Sequence, residues 1–202
     1  MNAAPIIFGA ESVKATLSGK KTVTRRVVKP VPRVDEKGRV WLYRSQNGHE
    51  GMAGNTPGRV PQSVAHEFCR YGSPGEYLWV KEAWRTHIDL DHLKPSDLPQ
   101  DTRIIYEADD SPSFRSDGRY RNPLHMPRWA SRLLLKLDDV WVERLHDMSQ
   151  ETLVAEGVGG DFVNHWNRLN AKRGFPWKSN PWVWCLKFRL LEAEDENYLS
   201  GL

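Results

Sequence analysis

The chain has 202 residues, a formal net charge of +3, a hydrophobic fraction of 39%, nine Trp and six Phe. That is enough apolar material for one ample core, and so small an excess of cations excludes a uniformly basic coat for nucleic acid, leaving only local contact. Cys69 and Cys185 lie far apart and form no CxxC unit, so they are not the framework of a disulfide-dependent secreted scaffold. The start, Met-Asn-Ala-Ala-Pro-Ile-Ile-Phe, lacks the basic region and apolar core of a signal peptide. No apolar run approaches the ~20 residues a membrane span requires, so a cytoplasmic protein without membrane contact is expected.

Residues 5–10 read as a short strand, and Ala10 to Ser18 as about two helical turns with Val13 and Leu17 on one face and Gly19 as terminator. Between Ser12 and Val34 lie seven basic residues and no acidic one, most of them in the run Ser18-Gly-Lys-Lys-Thr-Val-Thr-Arg-Arg-Val-Val-Lys-Pro30. Its cations, hydroxyls and amides make it the first place to look for a bound anion or nucleotide. It lacks the glycine frame of a phosphate loop. Residues 44–63 are rich in Gly, Asn, Ser, Gln and Pro and read as a mobile insertion. Cys69 to Glu76 is a turn feeding the strand Tyr77-Leu-Trp-Val-Lys81. Insertions near 89–100 and 109–123 flank a predicted strand from Thr102 to Ala108.

The strongest strand signal follows. Leu133, Leu135 and Leu137 share one face, whereas Val140 and Val142 have the opposite parity, which predicts a bulge at Asp138-Asp139. A helix from Ser149 to Ala155 has Ser149 as N-cap and Gly157 just beyond it, and Phe162, Trp166 and Leu169 mark a second one. The last strand alternates Trp182, Trp184, Leu186, Phe188 and Leu190 against Val183, Cys185, Lys187 and Arg189. These elements predict an α+β fold: a small curved barrel with short flanking helices and long loop insertions, one domain over 1–191, then an acidic, solvated tail over 192–202.

The seven histidines show no HExxH or Cys/His spacing, so neither a metal nor another cofactor is expected. Trp79, in an apolar strand context, reads as core. Trp84, at a strand exit beside Lys81 and Glu82, reads as a rim residue able to stack on a base. Arg128-Trp129, in a proline-containing loop, offers a cation and a ring to a base or phosphate, and His125 lies close by in sequence. Cys69 and Cys185 read as small buried apolar residues.

The segment Leu17-Ser-Gly-Lys-Lys-Thr-Val-Thr-Arg-Arg26 resembles the opening motif of the ASCH domain, a branch of the PUA-like superfamily. Cys69-Arg-Tyr-Gly-Ser-Pro-Gly-Glu-Tyr-Leu-Trp-Val-Lys-Glu-Ala-Trp84, Leu124 to Arg132, Glu156-Gly157 and Asn180 to Trp184 are similar to the larger phage- and prophage-borne members. The resemblance spans nearly the whole chain outside the variable loops and the tail. It implies a PUA-like barrel related to RNA-binding modules. It also implies kinship with small amidohydrolases that deacetylate N4-acetylcytidine, while other members are ribonucleases. Carried over residue by residue, it assigns a catalytic lysine to Lys21, a threonine to Thr24 and a glutamate to Glu156. If the protein is phage-borne, its setting is the host cytoplasm.

An amide hydrolase needs a nucleophile, a route for its proton and a donor for the oxyanion. Thr24 is a weak nucleophile unless Lys21 acts as its base. The cations Lys20, Arg25 and Arg26 favour neutral Lys21, whereas Glu156 favours its charged form. The expected partner is a small modified pyrimidine nucleoside or nucleotide, or a short single-stranded RNA. Lys20, Arg25, Arg26, Lys81, Glu82, Trp84, His125, Arg128 and Trp129 are its candidate binding residues. Against this stand two plainer readings: a solvated basic edge around Lys21, and a binding module or ribonuclease with an open groove lined by Arg25, Arg26 and Arg128.

Overall fold

The computed structural model describes residues 3–43, 50–53, 60–109 and 116–191. Much of the 44–63 insertion, the centre of the 109–123 insertion and the acidic tail from residue 192 lie outside the described residues. The main sheet has five strands in the order β1 (Ala3–Ile7), β6 (Tyr77–Lys81), β9 (Leu134–Arg144), β10 (Trp182–Leu190) and β2 (Val23–Val27). Only the β1–β6 pair is parallel, so the sheet is mixed. A three-stranded sheet joins β3 (Arg33–Val34), β4 (Val40–Tyr43) and β5 (Glu50–Ala53), and β7 (Trp84–Arg85) pairs with β8 (Ile105–Tyr106). The helices are short: α1 (Ala10–Leu17), α2 (Gln62–Phe68), α3 (Gln150–Val154) and α4 (Phe162–Asn170). The architecture is α+β, and no described helix is long and apolar enough to cross a membrane.

Parity organises the packing. On β10, Trp182, Trp184, Leu186 and Phe188 join the main core with Phe8, Leu78, Leu135, Leu137, Val140 and Val142. The other face of the same strand presents Val183 and Cys185 to a second core with Leu145, Phe162 and Trp166, which α3 and α4 roof over. The opposite parities of Leu135/Leu137 and Val140/Val142 are reconciled by a register shift between Lys187 and Phe188, which leaves Asp138 unpaired and returns both pairs of residues to one core. The two edge strands are joined by a side chain, since Arg26 on β2 donates to the Ile7 carbonyl on β1 at 2.8 Å.

Three expectations need correction. The strand predicted over Thr102 to Ala108 is only Ile105–Tyr106, because a 3-10 turn over Glu107–Asp109 takes up its end. Trp79 is half-buried on the outward face of β6, while Leu78 and Val80 take the core side. Trp84 is fully buried rather than at a rim. It centres a third core with Leu98, Met126 and Ala130, and Leu90, Leu93 and Trp129 pack against it. The insertion near 89–100 therefore covers an indole through leucines spaced too irregularly to register as a periodic element. Trp84→Ala should destabilise the chain by about 3–5 kcal/mol in urea unfolding, with a clearly smaller loss for Trp79→Ala; equal losses would contradict this assignment of core and surface.

Candidate functional site

The site begins where α1 ends. Gly19 takes a left-handed backbone, and the Lys21 amide turns back to donate to the Ala15 carbonyl at 2.9 Å. The next two amides, of Thr22 and Val23, both donate to the Ala155 carbonyl, at 2.9 and 3.0 Å, which stitches the start of β2 to the end of α3. Ser149 caps α3 by accepting from the Thr152 amide at 3.2 Å. Beyond α3 the chain turns through Gly157, whose φ is +66°. A Cβ on Gly157 would lie 2.9 Å from the Lys21 Cβ and 3.1 Å from its Cα, so only glycine permits so close an approach. The adjacent Glu156 side chain is thereby delivered to Lys21.

Both partners are buried. The Lys21 ammonium donates to Glu156 Oε2 at 2.6 Å and to the Glu156 carbonyl at 2.9 Å. Two of its three donors are thus used and one remains. The second carboxylate oxygen, Glu156 Oε1, accepts from Arg25 at 3.2 Å. Arg25 is itself buried: it reaches Glu143 Oε1 through Nε at 3.1 Å and Nη2 at 2.9 Å, and Thr152 Oγ1 at 2.7 Å. The Cys185 thiol donates to the same Glu143 oxygen at 3.2 Å, and the Trp141 indole donates to the other at 2.9 Å. Burial pushes the Cys185 thiol well above its ordinary value, with Arg25 opposing, so it is no nucleophile. It is also more than apolar filling, because it donates to a carboxylate.

Thr24 and Arg26 project from the other face of β2. Arg26 Nη1 donates to Thr24 Oγ1 at 3.0 Å and to the Arg25 carbonyl at 3.1 Å. Among the described residues Arg26 has no carboxylate partner at ion-pair distance. Its guanidinium lies 5.5 Å from the Phe8 ring centroid, and the Lys21 ammonium lies 5.8 Å from the same ring. Phe8 is therefore a shared apolar neighbour for the Lys21–Glu156 pair and the Thr24–Arg26 pair. No hydrogen bond joins Thr24 directly to Lys21 or Glu156 among the described residues.

A cavity of about 230 Å³ reaches this cluster at Glu156 and Gly157 and is walled further by Glu11, Ser12, Val158 and His165. His165 stands 3.7 Å from Glu11, and burial together with Arg168 lowers its basicity. No sequence motif singles out Glu11 or His165; they meet because Glu11 at the start of α1 pairs with His165 and Arg168 of α4. Glu143 and Thr152 also escaped the sequence reading, although the parity of β9 puts Glu143 on the same side as Trp141.

The remaining candidates lie elsewhere. Lys20 is exposed. Arg25 is a buried structural clamp, so the expected open groove of Arg25, Arg26 and Arg128 does not form. Glu82 is buried, and each of its oxygens accepts from Arg132 at 3.0 Å, so it is held in an ion pair instead of standing open at a pocket mouth. Lys81 donates to the Leu124 carbonyl at 2.6 Å and lies 5.1 Å from the Trp79 ring; Arg128 approaches the same ring at 5.7 Å. Trp129 is half-buried against the Trp84 core, and His125 is exposed at a separate cavity. Among the described residues no cluster of three or more His, Cys, Asp or Glu side chains is placed to hold a metal.

No family model matches the chain, and no curated protein matches it. Among solved structures it is similar to protein EF3133 from Enterococcus faecalis V583, described under the family model DUF984, at 11% identity over 95% of this chain and 82% of that one. The TM-score is 0.44, and a likeness this weak carries no argument about fold or function.

Two outcomes test the geometry. Gly157→Ala should cost at least ~1–2 kcal/mol from the left-handed backbone alone, with the Lys21 contact added, as read by urea unfolding. Burial lowers the Lys21 ammonium below its ordinary 10.5, while Glu156 acts to raise it. A lysine that holds its proton less tightly folded than unfolded penalises the fold below its folded value, and the penalty lifts as pH rises toward the unfolded value. The stability of wild type relative to Lys21→Met should therefore grow as pH rises toward the ordinary lysine value of 10.5; a difference that shrinks on that approach would reverse the sign assigned to Lys21.

Proposed function

We propose that this protein is an amidohydrolase of the ASCH, PUA-like type, acting in the cytoplasm on an N4-acylated cytosine nucleoside or base. The observation that carries the reading is the buried Lys21–Glu156 contact at 2.6 Å, whose glutamate lines a cavity, with Thr24 on β2 accepting from the guanidinium of Arg26. A proton shared across so short a buried contact can pass from ammonium to carboxylate without changing the net charge of the site, which makes neutral Lys21 accessible as a base. Thr24 Oγ, bonded to Arg26 and not to Lys21 in this structure, must close on the base as substrate enters; it then attacks the acetyl carbonyl and gives its proton to Lys21. Arg26 stabilises the oxyanion as the C–N4 bond breaks. The pair then returns the proton to the leaving amine, and water hydrolyses the acetyl-threonine ester to acetate. The cavity lies below the ~300 Å³ usual for small-molecule sites, which suits an acetylated base edge better than a whole nucleotide.

The barrel form of the fold belongs to this proposal. The bond from Arg26 to the Ile7 carbonyl across the two edge strands and the bulge between β9 and β10 both support a sheet bent toward closure.

One observation favours a second reading, a non-catalytic module for short single-stranded RNA. The half-buried Trp79 ring has Lys81 at 5.1 Å and Arg128 at 5.7 Å, and Arg128 Nε and Nη2 are buried donors with no acceptor among the described residues. That arrangement offers stacking and phosphate contact outside the cavity. Incubation with N4-acetylcytidine separates the two. The hydrolase reading expects cytidine and acetate from wild type, with turnover reduced at least about a hundredfold in Lys21→Ala and in Thr24→Ala. Folded wild type that yields no product, yet binds short RNA in a salt-sensitive manner weakened by Trp79→Ala, would replace it with the binding reading.

A further inference from the structure

A second cavity, of about 550 Å³, lies against the Trp84 core and away from Lys21 and Glu156. Its walls include Lys94, Pro95, Arg119, Tyr120, Arg121 and His125, and among the described residues no carboxylate lines it. Arg121 is the anchor. It is 4% exposed, and its guanidinium donates to the carbonyls of Leu93 at 3.1 Å and Leu90 at 2.8 Å and to Thr86 Oγ1 at 3.3 Å. These are neutral acceptors. The nearest carboxylate, of Asp91, stands 4.0 Å away and already accepts from the Arg119 amide at 2.9 Å. Arg121 Nε is buried with no acceptor among the described residues.

A buried guanidinium held by neutral acceptors, with its one carboxylate at the 4.0 Å limit of an ion pair, is costly unless a closer anion arrives to neutralise it. Lys94 and Arg119 add two exposed cations that form no ion pair among the described residues, and His125 adds a third titratable donor. Tyr120, 53% exposed, lines the same cavity, as does Pro95. Cations and an exposed aromatic ring lining one cavity suit a ligand that carries both a phosphate and a planar ring. The volume falls in the ~300–1,000 Å³ range of small-molecule sites.

We propose that this cavity is a second ligand site, for a small phosphate monoester bearing a planar ring, of nucleoside-monophosphate size. Arg121, Arg119 and Lys94 take the phosphate, and Tyr120 takes the ring. The site is independent of the hydrolase reading, since it shares no residue with the Lys21–Glu156 cluster.

Titration calorimetry of the full chain with cytidine 5′-monophosphate, cytidine and inorganic phosphate tests it. The monophosphate should bind, with cytidine and inorganic phosphate each weaker by at least about tenfold. Lys94→Ala and Arg119→Ala, both at exposed positions, should each raise the Kd for the monophosphate about tenfold, and Tyr120→Ala should raise it several-fold. Circular dichroism of each variant checks the fold. The proposal is overturned if the monophosphate does not bind or if the Lys94→Ala/Arg119→Ala double variant binds it as wild type does. Inorganic phosphate binding as tightly as the monophosphate would remove the ring from the site and overturn it as well.

Discussion

The carboxylate of Glu156 accepts from two buried cations, Lys21 on one oxygen and Arg25 on the other, and the positions of the surrounding elements follow from that clamp. Each of these charges would be costly inside a protein, and removing one strands the others, so the three are stable only as a set. Glu143 completes it. It takes the second half of the Arg25 fork and balances the charge, so that two cations face two carboxylates. Such a cluster tolerates little drift. The turn at Gly157, the cap of Ser149 and the paired amides of Thr22 and Val23 on one carbonyl hold α3 and β2 at the distance the ion pairs need.

Because Lys21 and Arg25 are neutralised, the surplus positive charge of the opening motif is left on exposed Lys20 and on Arg26. Arg26 turns to the opposite face of β2, meets only neutral acceptors among the described residues and rests beside Phe8. The run of cations thus divides by strand parity into a structural half and a half facing Thr24. A basic run in sequence does not amount to a basic patch. Neighbouring cations on a strand point apart, and their partners decide which of them still acts as a charge.

The insertions follow a similar logic. The segment near 89–100 covers Trp84, and the same segment supplies the carbonyls that hold Arg121. An indole packed under a guanidinium, with Cζ 5.3 Å from the ring, ties the third core to the wall of the larger cavity. Stability and recognition are coupled there, since the groups that bury the tryptophan also orient the arginine.

The alternation of Trp182 to Leu190, the parity break at Asp138-Asp139, the Ser149 cap and the short helix before Gly19 are all legible in the chain, because each depends on residues a few positions apart. The pairing of Lys21 with Glu156 entered only through resemblance: 135 positions separate them, and no local pattern encodes which carboxylate returns to which lysine. The burial of Trp84, the outward turn of Trp79, the withdrawal of Arg25 and Glu82 into ion pairs, and the approach of Glu11 and His165 to the cavity were decided by tertiary packing. A side chain's environment is set by whatever the fold brings across from elsewhere in the chain. The sequence specified periodicity, caps and turns, and three-dimensional neighbours determined which charges are spent on one another and which are left to meet a ligand.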